Sequence, residues 1–208
     1  MGVVRLVGFS TAVRGLLAPS LIELNRRCPD LTVHISEEDP DRALHSVYAG
    51  AADLALVHDA DGVSVPAPPS VVRRPIHTDF GDVIMKRTHP LARRETALTP
   101  AELARYPWVT SRPGRYVTSG FVGCSPRRPP RSTFAISWTT SPRNSRWSKR
   151  TMCSLSCLAS RARCSVPVSS RLRSSVPPTR EVQAAWRRSA DASPAIHAVL
   201  DVLDAASR

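Results

Sequence analysis

Four groups of side chains have the types and spacing to do chemistry. Ser10 and Thr11 follow the apolar run VVRLVGF and precede AVRGLLAPSLIELNRR. Hydroxyls at the start of a helix, beside N–H groups with no intrahelical acceptor, suit a carboxylate or phosphate. They also suit plain helix capping. His58 and Asp59 follow the apolar run LALV and could line the same cleft, or form an ordinary loop hydrogen bond. Thr110 and Ser111 end a third apolar run and are further ligand-binding candidates, with Arg112 and Arg115 nearby. The fourth group is Cys124, Cys153, Cys157 and Cys164, inside a basic stretch.

Several chemistries are excluded by pattern. Gly8-Phe9-Ser10-Thr11-Ala12 lacks the second glycine of GxSxG, and Ser10, His58 and Asp59 are not read as a hydrolase triad. The cysteine spacings of 28, 3 and 6 residues contain no CxxC pair and no nearby histidine, which is poor for zinc. No Walker loop or dinucleotide fingerprint appears. We therefore expect no enzyme, no catalytic residue, no cofactor and no metal. His77 and His89 read as structural, and Trp108 as core.

The elements that must position these groups follow from periodicity. Residues 3–9 read as a buried strand. Val13, Leu16, Leu17, Leu21 and Leu24 recur at helical spacing, with Ser10 or Thr11 as the N-cap and Pro19 as a cost or kink. Cys28-Pro29-Asp30 ends that helix. LTVHISEE alternates like a strand, and Pro40 opens a second helix through DRALHSVYAGAAD. Leu54 to Val57 is a third strand, ending at His58. The order β-α-β-α-β predicts a parallel sheet with helices on its faces. Residues 60–72 form a Pro-rich connection, and 75–86 two short strands around a turn at Asp79 to Gly81. Thr99 and Glu102 form a capping box before a short helix. REVQAAWRR reads as a late strand. Ser193-Pro194 caps a last helix with Ile196, Val199, Leu200 and Leu203 on one face.

Together these pieces resemble the effector-binding domain of LysR-type transcriptional regulators. The carriers are VRLVGFSTAVRGLLAPSLIELNRRCPDLTVHISEEDP, RALHSVYAGAADLALVHD, DFGDVIMKRTHPLARR, TPAELARYPWV and SPAIHAVLDVLDAA. Each motif is weak alone, and their order and spacing make the match. The resemblance covers residues 3–118 and 179–206. It implies an α/β, two-lobed, periplasmic-binding-protein-like (type 2) domain with a small-molecule site between its lobes. Residues 1–72 and 179–208 would form the first lobe, and 73–120 would begin a second lobe that is incomplete. It also implies an effector, anionic given the hydroxyls at the helix start, and a homo-oligomer. A winged helix-turn-helix would precede this domain in the family, and this chain begins at the domain's first strand. No specific DNA binding is expected from the chain alone. No window approaches a membrane span, and the opening lacks a signal-peptide cleavage site, so no membrane partner and a cytoplasmic location are expected.

The formal net charge of +12 needs a separate account. Residues 1–120 hold 14 Lys/Arg against 13 Asp/Glu, and residues 181–208 hold 3 against 4. Residues 121–180 hold 12 basic groups, 14 serines and no acid. A basic arm for nucleic acid is one reading of this block. A solute-binding protein of a transporter shares the implied fold but needs a signal peptide. The favoured reading is a shifted frame. Read from the third base of each codon, Trp138-Thr139 must give Asp and Met152-Cys153 must give Val. With GC-rich codons the stretch resembles the segment the family carries there. On this reading residues 121–178 are out of frame, disordered or poorly packed, and their charge is a by-product. Sequencing the gene should show an open, family-like third-base frame across residues 121–178. A frame riddled with stops would instead mark the basic block as selected, and favour the nucleic-acid reading.

Overall fold

A computed structural model describes residues 2–60, 64–80, 82–85, 89–103, 105, 106, 108, 109, 152–155, 170–175 and 179–206. Among the described residues, nine strands fall into two sheets. The larger has the order β2-β1-β3-β9-β4, from Thr32–Glu37, Val3–Gly8, Leu54–Ala60, Thr179–Arg187 and Val71–Phe80. The first three are parallel, as the alternation of strands and helices predicts. The late strand β9 is inserted between β3 and β4, antiparallel to both.

The smaller sheet has the order β6-β7-β5-β8. Its strands are Trp108–Val109, Met152–Leu155, Asp82–Met85 and Ser170–Arg173. β7 and β8 come from the basic block and pair antiparallel with β5. These eight residues lie within the stretch 121–178 expected to be disordered or poorly packed, most of which lies outside the described residues. Beneath β5, Val83, Met85, Leu91, Leu98 and Leu103 form a small core of their own.

Both faces of the larger sheet are covered. Leu54 and Leu56 point to one face and Ala55 and Val57 to the other, because side chains alternate along a strand. The first face meets Leu16, Leu17 and Leu24 from the first helical region and Ile196, Val199, Leu200 and Leu203 from the last helix, α5, Pro194–Ala206. The second face meets Ala43, Leu44 and Val47 of α3, Pro40–Tyr48. Pro40 sits in the first turn of α3, and Gly50 ends the helix with φ +79, which a side chain would strain. Arg187 of β9 ties the end of α3 down, donating from Nη1 to the carbonyls of Val47 and Ala52 at 2.7 and 2.9 Å.

Four expectations need correction. The first helix starts at Ser10 itself, and its N-cap is Phe9, which makes no side-chain cap. Ser10 and Thr11 are therefore not caps. The helix runs as α1, Ser10–Ala12, a π-helical turn Val13–Leu17, and α2, Ala18–Arg27. Pro19 lacks an N–H, and the helix widens in the turn before it instead of breaking. From α2 the Ser20 hydroxyl donates back to the Leu16 carbonyl of that turn at 2.6 Å. Third, β3 continues through His58 and Asp59 to Ala60. Fourth, β4 begins at Val71 and stays in the larger sheet to Phe80, so the passage between sheets falls later than residue 72. Pairing with β9 along that whole length holds it there. The capping box is present as expected at the start of α4, Pro100–Leu103: Glu102 accepts from the Thr99 N–H at 2.9 Å, and Thr99 Oγ1 accepts from the Glu102 N–H at 3.3 Å. Among the described residues no helix is long and apolar enough to cross a membrane.

Leu200 is fully buried between the sheet and the first helical region. Leu200→Ala should lower stability by about 2–5 kcal/mol in urea unfolding. Ile22→Ala, at an 83% exposed position, should change it little.

Candidate functional site

The carboxyl ends of parallel strands and the amino ends of the helices that follow are where this architecture leaves backbone groups free for a ligand. Here that edge is formed by the ends of β1 and β3 and the start of α1. β9 contributes its first residues, because it runs opposite to β3, and β4 its last, because it runs the same way as β3, with Asp79 opposite Arg180.

Arg180 is the centre of the cluster. Its side chain is 6% exposed and that of Asp79 is 0% exposed. Arg180 Nε donates to Asp79 Oδ1 at 2.9 Å, and Nη2 donates to Oδ2, giving a two-pronged ion pair. Nη1 donates to Thr11 Oγ1 at 3.3 Å. The guanidinium carbon lies 5.0 Å from the centroid of the Phe9 ring. The planar fork of arginine allows all of this at once.

His58 lies on the same side. Its ring meets Phe9 edge-on, with centroids 4.6 Å apart and planes at 81°. His58 is 4% exposed, and its Nδ1 has no hydrogen-bond partner among the described residues. Burial, followed by the Arg180 charge, pushes its pKa from 6.5 down to about 3, against a smaller opposing pull from Asp59. His58 is thus neutral at physiological pH.

Asp59 is not beside His58 in function. Adjacent strand residues face opposite ways, and Asp59 turns to the other face of the sheet. There it accepts from Ser64 Oγ at 2.7 Å, Val65 N at 3.3 Å, Arg73 Nη2 at 2.5 Å and Gln183 Nε2 at 3.1 Å. Burial works to raise its pKa, but Ser64, Arg73 and the Val65 N–H together hold it below the usual carboxylate range. Asp59 anchors the Ser64 and Val65 segment and β4. The expectation that His58 and Asp59 line one cleft fails for this reason.

The structure therefore brings Ser10, Thr11 and His58 to one edge and leaves Asp59 on the other face. Ser10 and Thr11 are partly exposed, so a solute can reach them. Thr110, Ser111, Arg112 and Arg115 lie outside the described residues. Sequence reasoning missed Asp79 and Arg180. They are 101 residues apart, and only the pairing of β4 with β9 joins them. The available signal was charge: TREVQAAWR buries its second residue, which is an arginine. His89 is structural as expected, accepting from the Leu91 N–H at 3.2 Å. Among the described residues no group of His, Cys, Asp and Glu could hold a metal.

The model of the LysR substrate binding domain matches residues 1–139, and the chain belongs to that family. Among curated proteins it is 33% identical over 125 residues to the HTH-type transcriptional regulator CysB of Haemophilus influenzae, covering 60% of this chain and 35% of that protein. It is 27% identical over 118 residues to the HTH-type transcriptional regulator TtuA of Agrobacterium vitis, covering 55% and 37%. The chain thus spans about a third of the length of these relatives. Its fold is similar to the reduced form of OxyR from N. meningitidis, with TM-score 0.77, 17% identity and 99% and 96% of the two chains covered. It is also similar to the C-terminal domain of a probable LysR family regulator from Rhodococcus sp. RHA1, with TM-score 0.72, 20% identity and 97% and 98% covered. The fold is accordingly the two-lobed, periplasmic-binding-protein-like one, and the relatives are transcriptional regulators.

The buried neutral imidazole makes a pH prediction. The folded chain takes up the His58 proton only near pH 3, whereas the unfolded chain takes it up near 6.5. Acidification from pH 6.5 should therefore favour unfolding by about 1.4 kcal/mol per pH unit from this group. His58→Leu should remove that part of the slope between pH 6 and pH 4 in denaturant titrations. An unchanged slope would mean that His58 titrates normally in the folded state.

Proposed function

We propose that this chain is the effector-binding domain of a LysR-type transcriptional regulator, and that it senses a small anionic molecule at the carboxyl ends of β1 and β3. The observation that carries the site is the convergence of Ser10, Thr11 and the first-turn N–H groups of α1 at that edge. The helix start presents positive ends of peptide dipoles and two hydroxyls, a combination suited to a carboxylate or an oxyanion. Thr110 and Ser111 are proposed as contacts from the second lobe.

In the whole regulator, closing the lobes on the effector would change a homo-oligomer's arrangement and so its contacts with promoter DNA. That action belongs to a cytoplasmic protein and needs no catalytic residue, cofactor or metal.

A thermal-shift screen of the full chain with small mono- and dicarboxylates and inorganic oxyanions tests the reading. A ligand should raise the melting temperature with concentration. Thr11→Val should weaken that ligand about tenfold, the loss of one hydrogen bond to a charged group. Binding that is indifferent to both Thr11→Val and Ser10→Ala would place the site elsewhere.

A further inference from the structure

Arg180 is bound on two edges and one face by elements that reach it from different parts of the fold. Asp79 takes one edge of the guanidinium, at 2.9 Å from Nε and through a short bond from Nη2. Thr11 Oγ1 takes Nη1 at 3.3 Å, and the Phe9 ring lies 5.0 Å from the guanidinium carbon. Phe9 and Thr11 belong to the start of the first helix. Asp79 and Arg180 belong to the two strands by which the chain passes between the sheets. β4 ends at Phe80 and β5 starts at Asp82, while β8 ends at Arg173 and β9 starts at Thr179.

We propose that Arg180 is a positioning residue that couples occupancy at Ser10 and Thr11 to the two strands leading into the second sheet. This rests on the effector-site reading above. A hydroxyl has one proton and two lone pairs. Arg180 donates to Thr11 Oγ1, so the Thr11 proton is left to be given outward, to an anion. Drawing the Thr11 oxygen toward a ligand pulls on Nη1. The same rigid plane holds both oxygens of Asp79, and β4 moves with it. The pair is desolvated on both partners, so neither can exchange its bonds for water. Lysine at this position has the charge but not the fork. It can meet Asp79 or Thr11, not both in one plane.

Hydrogen exchange on the full chain, with and without inorganic phosphate in a phosphate-free buffer, tests this. In the unmodified chain phosphate should slow exchange of the amides of residues 10–13 and also of Asp82–Met85. In Arg180→Lys the protection at residues 10–13 should remain. The effect at Asp82–Met85 should fall about fivefold or more, the lower range of allosteric coupling. Arg180→Met combined with Asp79→Leu removes the pair without leaving a lone buried charge, and should give the same result if the lysine variant does not fold. Persistence of the Asp82–Met85 effect in these variants, or its absence from the unmodified chain while residues 10–13 are protected, overturns the role of Arg180 and leaves the site standing. No protection of residues 10–13 in the unmodified chain overturns the effector site at this edge, and the coupling with it.

Discussion

β9 lies between β3 and β4, although it comes from the far end of the chain. Everything else at the site depends on that insertion. Parallel strands β1, β2 and β3 can be built from the first 60 residues, but β3 would then have an unpaired edge. The return strand covers it, pairing with β3 from Leu54 to Ala60 and with β4 from Val71 to Phe80. It carries Val182, Ala184 and Trp186 to the face shared with α5, and Gln183 to the opposite face beside Asp59. It also brings Arg180 across 101 residues of sequence to Asp79. The two passages between sheets are thus pinned at one point.

That pin sets the electrostatics of the candidate site. A buried arginine without a carboxylate would be costly, and so would the buried Asp79 alone. Paired, they leave a local charge near zero and a rigid plane against Phe9. His58, buried edge-on against the Phe9 ring and near the Arg180 cation, is kept neutral first by its burial and then by that charge. The positive character that remains at this edge is that of the helix start, with the hydroxyls of Ser10 and Thr11. The apolar packing of Leu16, Leu17 and Leu200 behind it fixes the helix against the sheet. The family shows this fold to be compatible with effector binding, and the anionic ligand proposed above rests on these side chains.

Much of the first sheet was legible in the residues. The three-and-four spacing of Val13, Leu16, Leu17 and Leu24 and the short run LALV each have one good structural solution. The capping box at Thr99 and Glu102 formed as its spacing demands. Strand lengths were less legible. HDA looks like a polar turn after LALV, yet β9 supplies backbone partners through Ala60, so the strand continues. A single residue's step then sends His58 and Asp59 to opposite faces, and the apparent pair dissolves. Pro19 was legible as a disturbance but not as a π-helical turn, because a helix can break, bend or widen there. The cluster around Arg180 was not legible, since antiparallel register between distant strands leaves no local trace. The strands Met152–Leu155 and Ser170–Arg173 likewise depend on pairing with β5, not on their own periodicity.

The central claim is that an anion is held at the amino end of the first helix, within reach of Thr11. Crystals of the full chain soaked in selenate, with data collected at the selenium absorption edge, test it most directly. The account predicts an anomalous peak within hydrogen-bond distance of Thr11 Oγ1 and the first-turn N–H groups. A crystal that shows selenate elsewhere, with no peak at this edge under a saturating soak, would contradict it.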